Sequence, residues 1–287
     1  MNIKVWRTLL HRARNTNKYD YGHVLVVGGS EAMTGAPILA GRAALRVGAG
    51  LITIASTESA VKLIDRDIEE VMTLSLPPWE KTKECLEVIR RFISEHHVSV
   101  LAVGPGLPHT ADEVVRNLIS LELPMVVDAE AFTALSDHLD VLETATDVNK
   151  DIVMTPHPGE YTRMTHNQAQ YKNGDKLSVK KFAQDYDVTL VFKQCQTLVA
   201  DAHGELYENQ TGNPGLATAG SGDVLTGIIA GLIAQKRTSI YQAACMAVYL
   251  HGLAADLAVK SKTEPGMIAS DVIEALPSAL LSLEEAS

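Results

Sequence analysis

Aromatic side chains are scarce, at 5 % of the 287 residues. A core built from this chain is therefore aliphatic and Ala-rich, with close backbone approach where its 20 glycines fall. Cysteine is rarer still. Cys85, Cys195 and Cys245 are odd in number and far apart, which argues against a disulfide framework or a thiolate zinc cluster. A reducing, cytoplasmic setting is the expectation, with Cys195 and Cys245 as small buried residues. No continuous apolar run reaches the roughly eighteen residues of a membrane span. Met1 to Asp20 carries Lys4, Arg7, His11, Arg12, Arg14 and Lys18, lacks an apolar segment, and does not read as a signal peptide. Positive charge is short as well. The 25 Lys and Arg face 35 Asp and Glu, a net charge of −10. That disfavours nucleic acid and anionic membrane surfaces as partners. Small anionic ligands stay open, because a site is local. Two phosphate-binding signatures are also missing. Gly28, Gly29 and Gly35 do not space as G-x-G-x-x-G, and no Gly-Lys-Ser or Gly-Lys-Thr occurs.

What is present is an alternation. Continuous apolar runs at Val24–Val27, Leu51–Ala55, Val98–Val103, Met125–Asp128, Ile152–Thr155 and Leu190–Lys193 read as strands buried on both faces. Helices are expected at Pro37–Val47, Glu58–Arg66, Lys81–His96, Ala111–Ser120, Ser178–Tyr186, Asp223–Gln235, Ser239–Lys260 and Ser270–Leu283. Thr57 is a candidate N-cap, and Thr110 with Glu113 spells a capping box. Thr197–Asp201 and Glu205–Asn209, joined through Gly204, read as a β-hairpin at a sheet edge. The order predicts an α/β fold: a central, mostly parallel sheet flanked by helices, with an edge hairpin. Residues 1–287 read as a single domain.

Ligands of such sheets bind where strands end and helices begin. Gly28-Gly29-Ser30, Gly104-Pro105-Gly106, Asp128 and Pro156-His157-Pro158-Gly159-Glu160 all fall at such ends. The strongest local signal is Thr211-Gly212-Asn213-Pro214-Gly215 running into Ala219-Gly220-Ser221-Gly222-Asp223 and a helix. Gly220, Ser221 and Gly222 offer backbone amides at a helix N-terminus, an anion hole. Asp223 reads either as a base beside bound phosphate or as an N-cap. Lys193 reads as a phosphate contact or as a solvated lysine. His157 is a substrate contact or a turn histidine bonded to backbone. Asp128 is a metal or water ligand, or a cap. His96, His97, His109 and His251 show no usable pattern. Gly227 and Gly231 leave room for close helix packing.

The motifs Gly28-Gly29-Ser30, 35–51, Gly104-Pro105-Gly106, Thr155-Pro156-His157-Pro158-Gly159-Glu160, Gly212-Asn213-Pro214-Gly215 and Gly220-Ser221-Gly222-Asp223 together resemble the ADP/ATP-dependent NAD(P)H-hydrate dehydratases of the YjeF type. The resemblance covers about residues 15–260. It implies a ribokinase-like three-layer sandwich and a hydro-lyase activity. The S-epimer of NADH or NADPH hydrate would be returned to NAD(P)H, with ADP or ATP cleaved to AMP or ADP and phosphate. It implies Mg2+ with the nucleotide, a homotetramer, and a separate epimerase as functional partner. By the family pattern Ala40, Gly106, His157 and Asp223 meet the hydrate. Lys193, Gln194, Cys195, Gln196, Thr197 and Gly222 meet the nucleotide, and Asp223 is the base. Metal ligands are not assigned. Pro108, where the family often has Gly, and Gln194, where it usually has Gly, depart from the pattern. A small-molecule kinase of the same fold and a non-catalytic nucleotide-binding protein are the alternatives. The scarcity of aromatics predicts that the ligand rings are gripped by aliphatic and backbone atoms.

Overall fold

The computed structural model describes residue 6, residues 10–146 and residues 151–285. The strands are β1 (His23–Val27), β2 (Leu51–Thr57), β3 (Met72–Leu76), β4 (Val100–Val103), β5 (Met125–Val127), β6 (Ile152–Met154), β7 (Thr189–Phe192), β8 (Leu198–Ala200) and β9 (Leu206–Glu208). They form one sheet in the order β3-β2-β1-β4-β5-β6-β7-β8-β9. Pairing is parallel from β3 through β7 and antiparallel at β7-β8-β9. The expected edge hairpin is β8 and β9. The Asp201 carboxylate accepts from the His203 and Glu205 amides in its turn.

Helices α1 (Gly35–Arg46), α2 (Glu58–Ile64), α9 (Ser221–Ala234), α10 (Ile240–Lys262) and α11 (Ala269–Glu285) cover one face. Helices α3 (Thr82–His96), α4 (Asp112–Ile119), α5 (Ala131–Leu135), α6 (Asp140–Thr146), α7 (Pro158–Met164) and α8 (Lys176–Asp185) cover the other. The two-residue period of a strand divides β1 between the two cores. Val24 and Val26 face the first, Leu25 and Val27 the second. The sparse aromatics concentrate in the second core, where the Tyr161 ring meets Phe182 and Phe192 at centroid distances of 5.5 and 5.2 Å. The first is almost wholly aliphatic.

That aliphatic core permits one unusually close contact. A Cβ placed on Gly227 of α9 would lie 2.0 Å from the Ala40 carbonyl oxygen of α1. One placed on Gly231 would lie 2.7 Å from the Ala44 carbonyl oxygen. The two helices therefore touch backbone to backbone, and α9 is fixed lengthwise against α1.

Several expectations change. Strand β3 escaped the sequence reading because it is an edge strand whose residues are mostly half-exposed or exposed, so it shows no continuous apolar run. The Thr110–Glu113 capping box does not form. A 3-10 turn (His109–Ala111) precedes α4, and Glu113 instead accepts from Thr82 Oγ1 at 3.1 Å. Thr57 takes the N-cap position of α2 without a side-chain bond to it. Cys195 is exposed; Cys245 is buried as expected. Helix α10 is long and apolar enough, by length and composition, to cross a membrane, although polar residues interrupt it. Its apolar window is 67 % buried within the fold, as in a core helix.

The α1–α9 contact sets a stability test. Gly227→Ala is expected to cost at least about 2 kcal/mol, because the added methyl has backbone rather than a yielding side chain in its way. Gly35→Ala, at a helical site with nothing within 4 Å of the new methyl, is expected to be neutral or stabilising by up to about 1 kcal/mol. Urea midpoints at unchanged slope measure both.

Candidate active site

The C-terminal ends of β5, β6 and β7 meet the N-terminus of α9 around a cleft of about 970 Å³. Asp128 follows β5, His157 and Glu160 follow β6, and Lys193 follows β7. Asn209 to Asp223 forms the opposite wall, with Val248, His251 and Gly252 of α10 behind it. No Phe, Tyr or Trp lines the cleft among the described residues.

Asp128 is the buried anchor. Its carboxylate accepts from Lys193 Nζ at 2.7 Å and from Thr226 Oγ1 at 2.6 Å. Burial alone would raise its carboxyl. The Lys193 ammonium and the hydroxyls of Thr226 and Thr155 hold it below the usual carboxylate range instead. Lys193 is likewise held above its ordinary range, since Asp128 and Glu160 outweigh its burial. Asp128 is thus neither a helix cap nor a free ligand, and Lys193 is no solvated surface lysine. A Cβ on Gly222 would stand 3.2 Å from Lys193 Nζ. The ammonium therefore lies directly against the start of α9.

That start is built for an anion. Gly220 is the N-cap, in the left-handed region at φ 84°, and no side chain caps the helix. The Ser221 amide points at the Thr218 carbonyl at 3.4 Å, and Val224 closes the first turn onto Gly220. Amides of the first turn and the helix dipole face the cleft. Asp223 stands in that turn and is not the N-cap. Burial, reinforced by the nearby Asp128 charge, pushes its carboxyl up to about 7. A carboxyl with that value exchanges its proton near neutrality.

His157 is bonded to backbone, and its ring also lines the cleft. It caps α7 with Nδ1, which accepts from the Gly159 and Glu160 amides at 2.9 and 3.3 Å. The Glu160 carboxylate returns a bond from the His157 amide at 2.7 Å. Nδ1 is an acceptor, so the neutral ring carries its proton on Nε2. Burial, then Lys193, lowers its pKa and keeps it neutral. Its half-exposed ring reaches the cleft wall. Glu160 itself is pushed by burial up to about 7, against the pull of Lys193 at 3.9 Å.

The loop after β7 brings Lys193, Gln194, Cys195 and Thr197 to the wall, while Gln196 points away to Gln210. Gln194 needs no glycine-like backbone, being absent from the residues with positive φ, and its side chain bonds the Gln196 carbonyl at 3.1 Å. Pro108 sits in extended backbone before the 3-10 turn. Two expected hydrate contacts are not on the wall. Ala40 has no exposed surface, because its backbone is packed under Gly227. Gly106 is buried beneath the Met33 carbonyl, and its amide donates to Glu130.

Asp256 went unnoticed in the sequence, and His251 showed no usable pattern there. The Asp256 carboxylate holds the Gly212 amide and the Asn213 side chain at 2.9 and 3.1 Å, fixing the glycine loop to α10. His251 Nε2 lies 3.4 Å from Ser221 Oγ, and burial lowers its pKa to about 4. Both partners are distant in sequence, and no local spacing announces them. Among the described residues no three His, Cys, Asp or Glu side chains group to hold a metal ion.

Known proteins resemble this chain in sequence and fold. Residues 24–278 match the family described as NAD(P)H-hydrate dehydratase. A bifunctional NAD(P)H-hydrate repair enzyme of Moorella thermoacetica is 41 % identical over 96 % of this chain and 52 % of its own length. The chain thus spans about half the length of the first curated relatives it matches. The ADP-dependent (S)-NAD(P)H-hydrate dehydratase of Bacillus subtilis is 31 % identical over 96 % of this chain and 98 % of its own. The ADP/ATP-dependent enzyme of that organism, co-crystallised with ATP and Mg2+, superposes with a TM-score of 0.76 at 28 % identity, covering 98 % of this chain and 97 % of that one. A ribokinase-like protein of Enterococcus faecalis gives 0.80 at 26 % identity, over 99 % and 95 %. The mostly parallel sheet with its antiparallel edge is the ribokinase-like fold, and the chain belongs to the NAD(P)H-hydrate dehydratase family.

Proposed function

We propose that this chain dehydrates the S-epimer of NADH or NADPH hydrate to NAD(P)H, driven by cleavage of ADP or ATP. The observation that carries this reading is Asp223, a carboxyl held at about 7 in the first turn of an uncapped helix, beside Lys193. Asp223 takes the proton of the ring hydroxyl as that oxygen attacks the terminal phosphorus of the nucleotide. The first-turn amides and Lys193 stabilise the charge on the transferred phosphoryl group. Phosphate is a better leaving group than hydroxide, and its departure allows the ring double bond to re-form.

Magnesium enters this reading on the nucleotide. Among the described residues no acid or histidine cluster groups to bind it directly, so the ion would be held by phosphate oxygens and water. Bound there, it would neutralise phosphate charge. His157 Nε2–H and the backbone after β6 orient the hydrate. The reading also includes a cytoplasmic homotetramer and a separate epimerase that interconverts hydrate epimers. Sedimentation of the purified chain at four times the monomer mass is the outcome expected for the tetramer.

The decisive assay mixes the protein with hydrated NADH and either ADP or ATP, and follows the absorbance of intact NADH. Recovery of that absorbance is expected. No recovery, with a phosphorylated alcohol retained instead, identifies a kinase. Asp223→Asn is expected to lower turnover by at least about a hundredfold, while calorimetry still detects nucleotide binding. Unchanged turnover removes Asp223 from the mechanism.

The pH profile follows from the same carboxyl. A base works only when unprotonated, and the Asp223 carboxyl sits at about 7. Initial rates of nucleotide cleavage are expected to fall roughly tenfold per pH unit on the acid side of that value and to level above it. A profile flat from pH about 5 to 8 would exclude a base of this kind.

A further inference from the structure

The dehydration proposed above removes two protons. One leaves the hydroxyl oxygen during phosphoryl transfer. The other leaves C5 of the ring, beside the carbon that loses its oxygen. Asp223 holds the first proton, so the second requires another acceptor in the same cleft.

Three carboxylates line the cleft among the described residues: Asp128, Glu160 and Asp223. Asp128 is closed off by Lys193 and Thr226 at 2.7 and 2.6 Å and is a poor base. His157 is no base either. Its Nδ1 is occupied by two amides, and its Nε2 already carries the proton. Glu160 remains. Its Oε2 receives the His157 amide at 2.7 Å and lies 3.9 Å from Lys193 Nζ. Its Oε1 stands 3.4 Å from His157 Nε2. The side chain is thus held from two sides yet still reaches the wall, at 13 % exposure. With its carboxyl pushed up by burial to about 7, it takes and releases protons near neutrality.

We propose that Glu160 is the base that takes the C5 proton once phosphate has left. The inference rests on the dehydratase reading. Phosphate departs with the C6–O electron pair and the substrate's oxygen, drawing a proton from water as it leaves, and the N1 lone pair forms an N1=C6 bond. Glu160 then takes the C5 proton. The C5–H pair becomes the C5=C6 bond, and the N1=C6 pair returns to nitrogen. Glu160 and Asp223 then give their protons to solvent, and no further reactant is consumed. The His157 amide on Oε2 and the Lys193 charge beside it hold the carboxylate at the cleft wall.

The test is the ratio of NAD(P)H formed to nucleotide cleaved. Glu160→Gln keeps the side-chain shape and still accepts the His157 amide, as Gln does in capping boxes. Wild type is expected to form one NAD(P)H per nucleotide. In Glu160→Gln the ratio is expected to fall by at least about tenfold, whatever the change in the cleavage rate, because the ring cation re-adds water. A merely structural role lowers both rates together. Equal loss of both, or a ratio still at one, overturns the proposal. If Glu160→Gln fails to bind nucleotide, Glu160→Asp is read by the same ratio. It keeps a carboxylate but withdraws it by one methylene, and a ratio of one there also overturns the proposal. A wild-type protein that makes no NAD(P)H defeats the dehydratase reading and this assignment together. Failure of the assignment alone leaves wild-type coupling intact.

Discussion

The Lys193–Asp128 pair organises the cleft. It joins the ends of β5 and β7, and through Thr226 it ties both to α9. A buried pair of this sort adds little net stability, but loss of one partner leaves a bare charge at a cost of about 3–5 kcal/mol. Its larger effect is on its neighbours. By neutralising Asp128, Lys193 lets two further carboxylates lie close by at accessible pKa values. Without it, three buried acids would share one space and their carboxyls would rise together.

The charge of the chain now has a local meaning. A net charge of −10 sits awkwardly with a nucleotide and a dinucleotide as ligands. Among the described residues the cleft wall holds one side-chain cation, Lys193. Phosphate must therefore be met mainly by amides and by the dipole of α9. Amides approach closely only where side chains are small, which is why the wall is rich in glycine. The absence of aromatic rings from the wall follows the same economy of volume.

Much of the fold was legible because strands buried on both faces give continuous apolar runs. Strand β3 was not, since an edge strand with polar alternation gives none. The glycine loop and Asp223 were legible because a loop running into a helix is local in sequence. Glu160 was visible as a motif letter only. Its role depends on burial and on Lys193, which arrives from another strand end. Asp128 and Lys193 are 65 residues apart, and neither implies the other by spacing. The family pattern assigns Ala40 to the substrate, and no local spacing announces its backbone contact with Gly227.

The backbone contact between α1 and α9 leaves the helix that carries the start of the cleft with almost no freedom to vary. Neither helix can shift or accept a larger residue there without displacing the other. The wall has no such restriction, because its loops end strands and face solvent. A scaffold built this way diversifies by exchanging loops over an unchanging base.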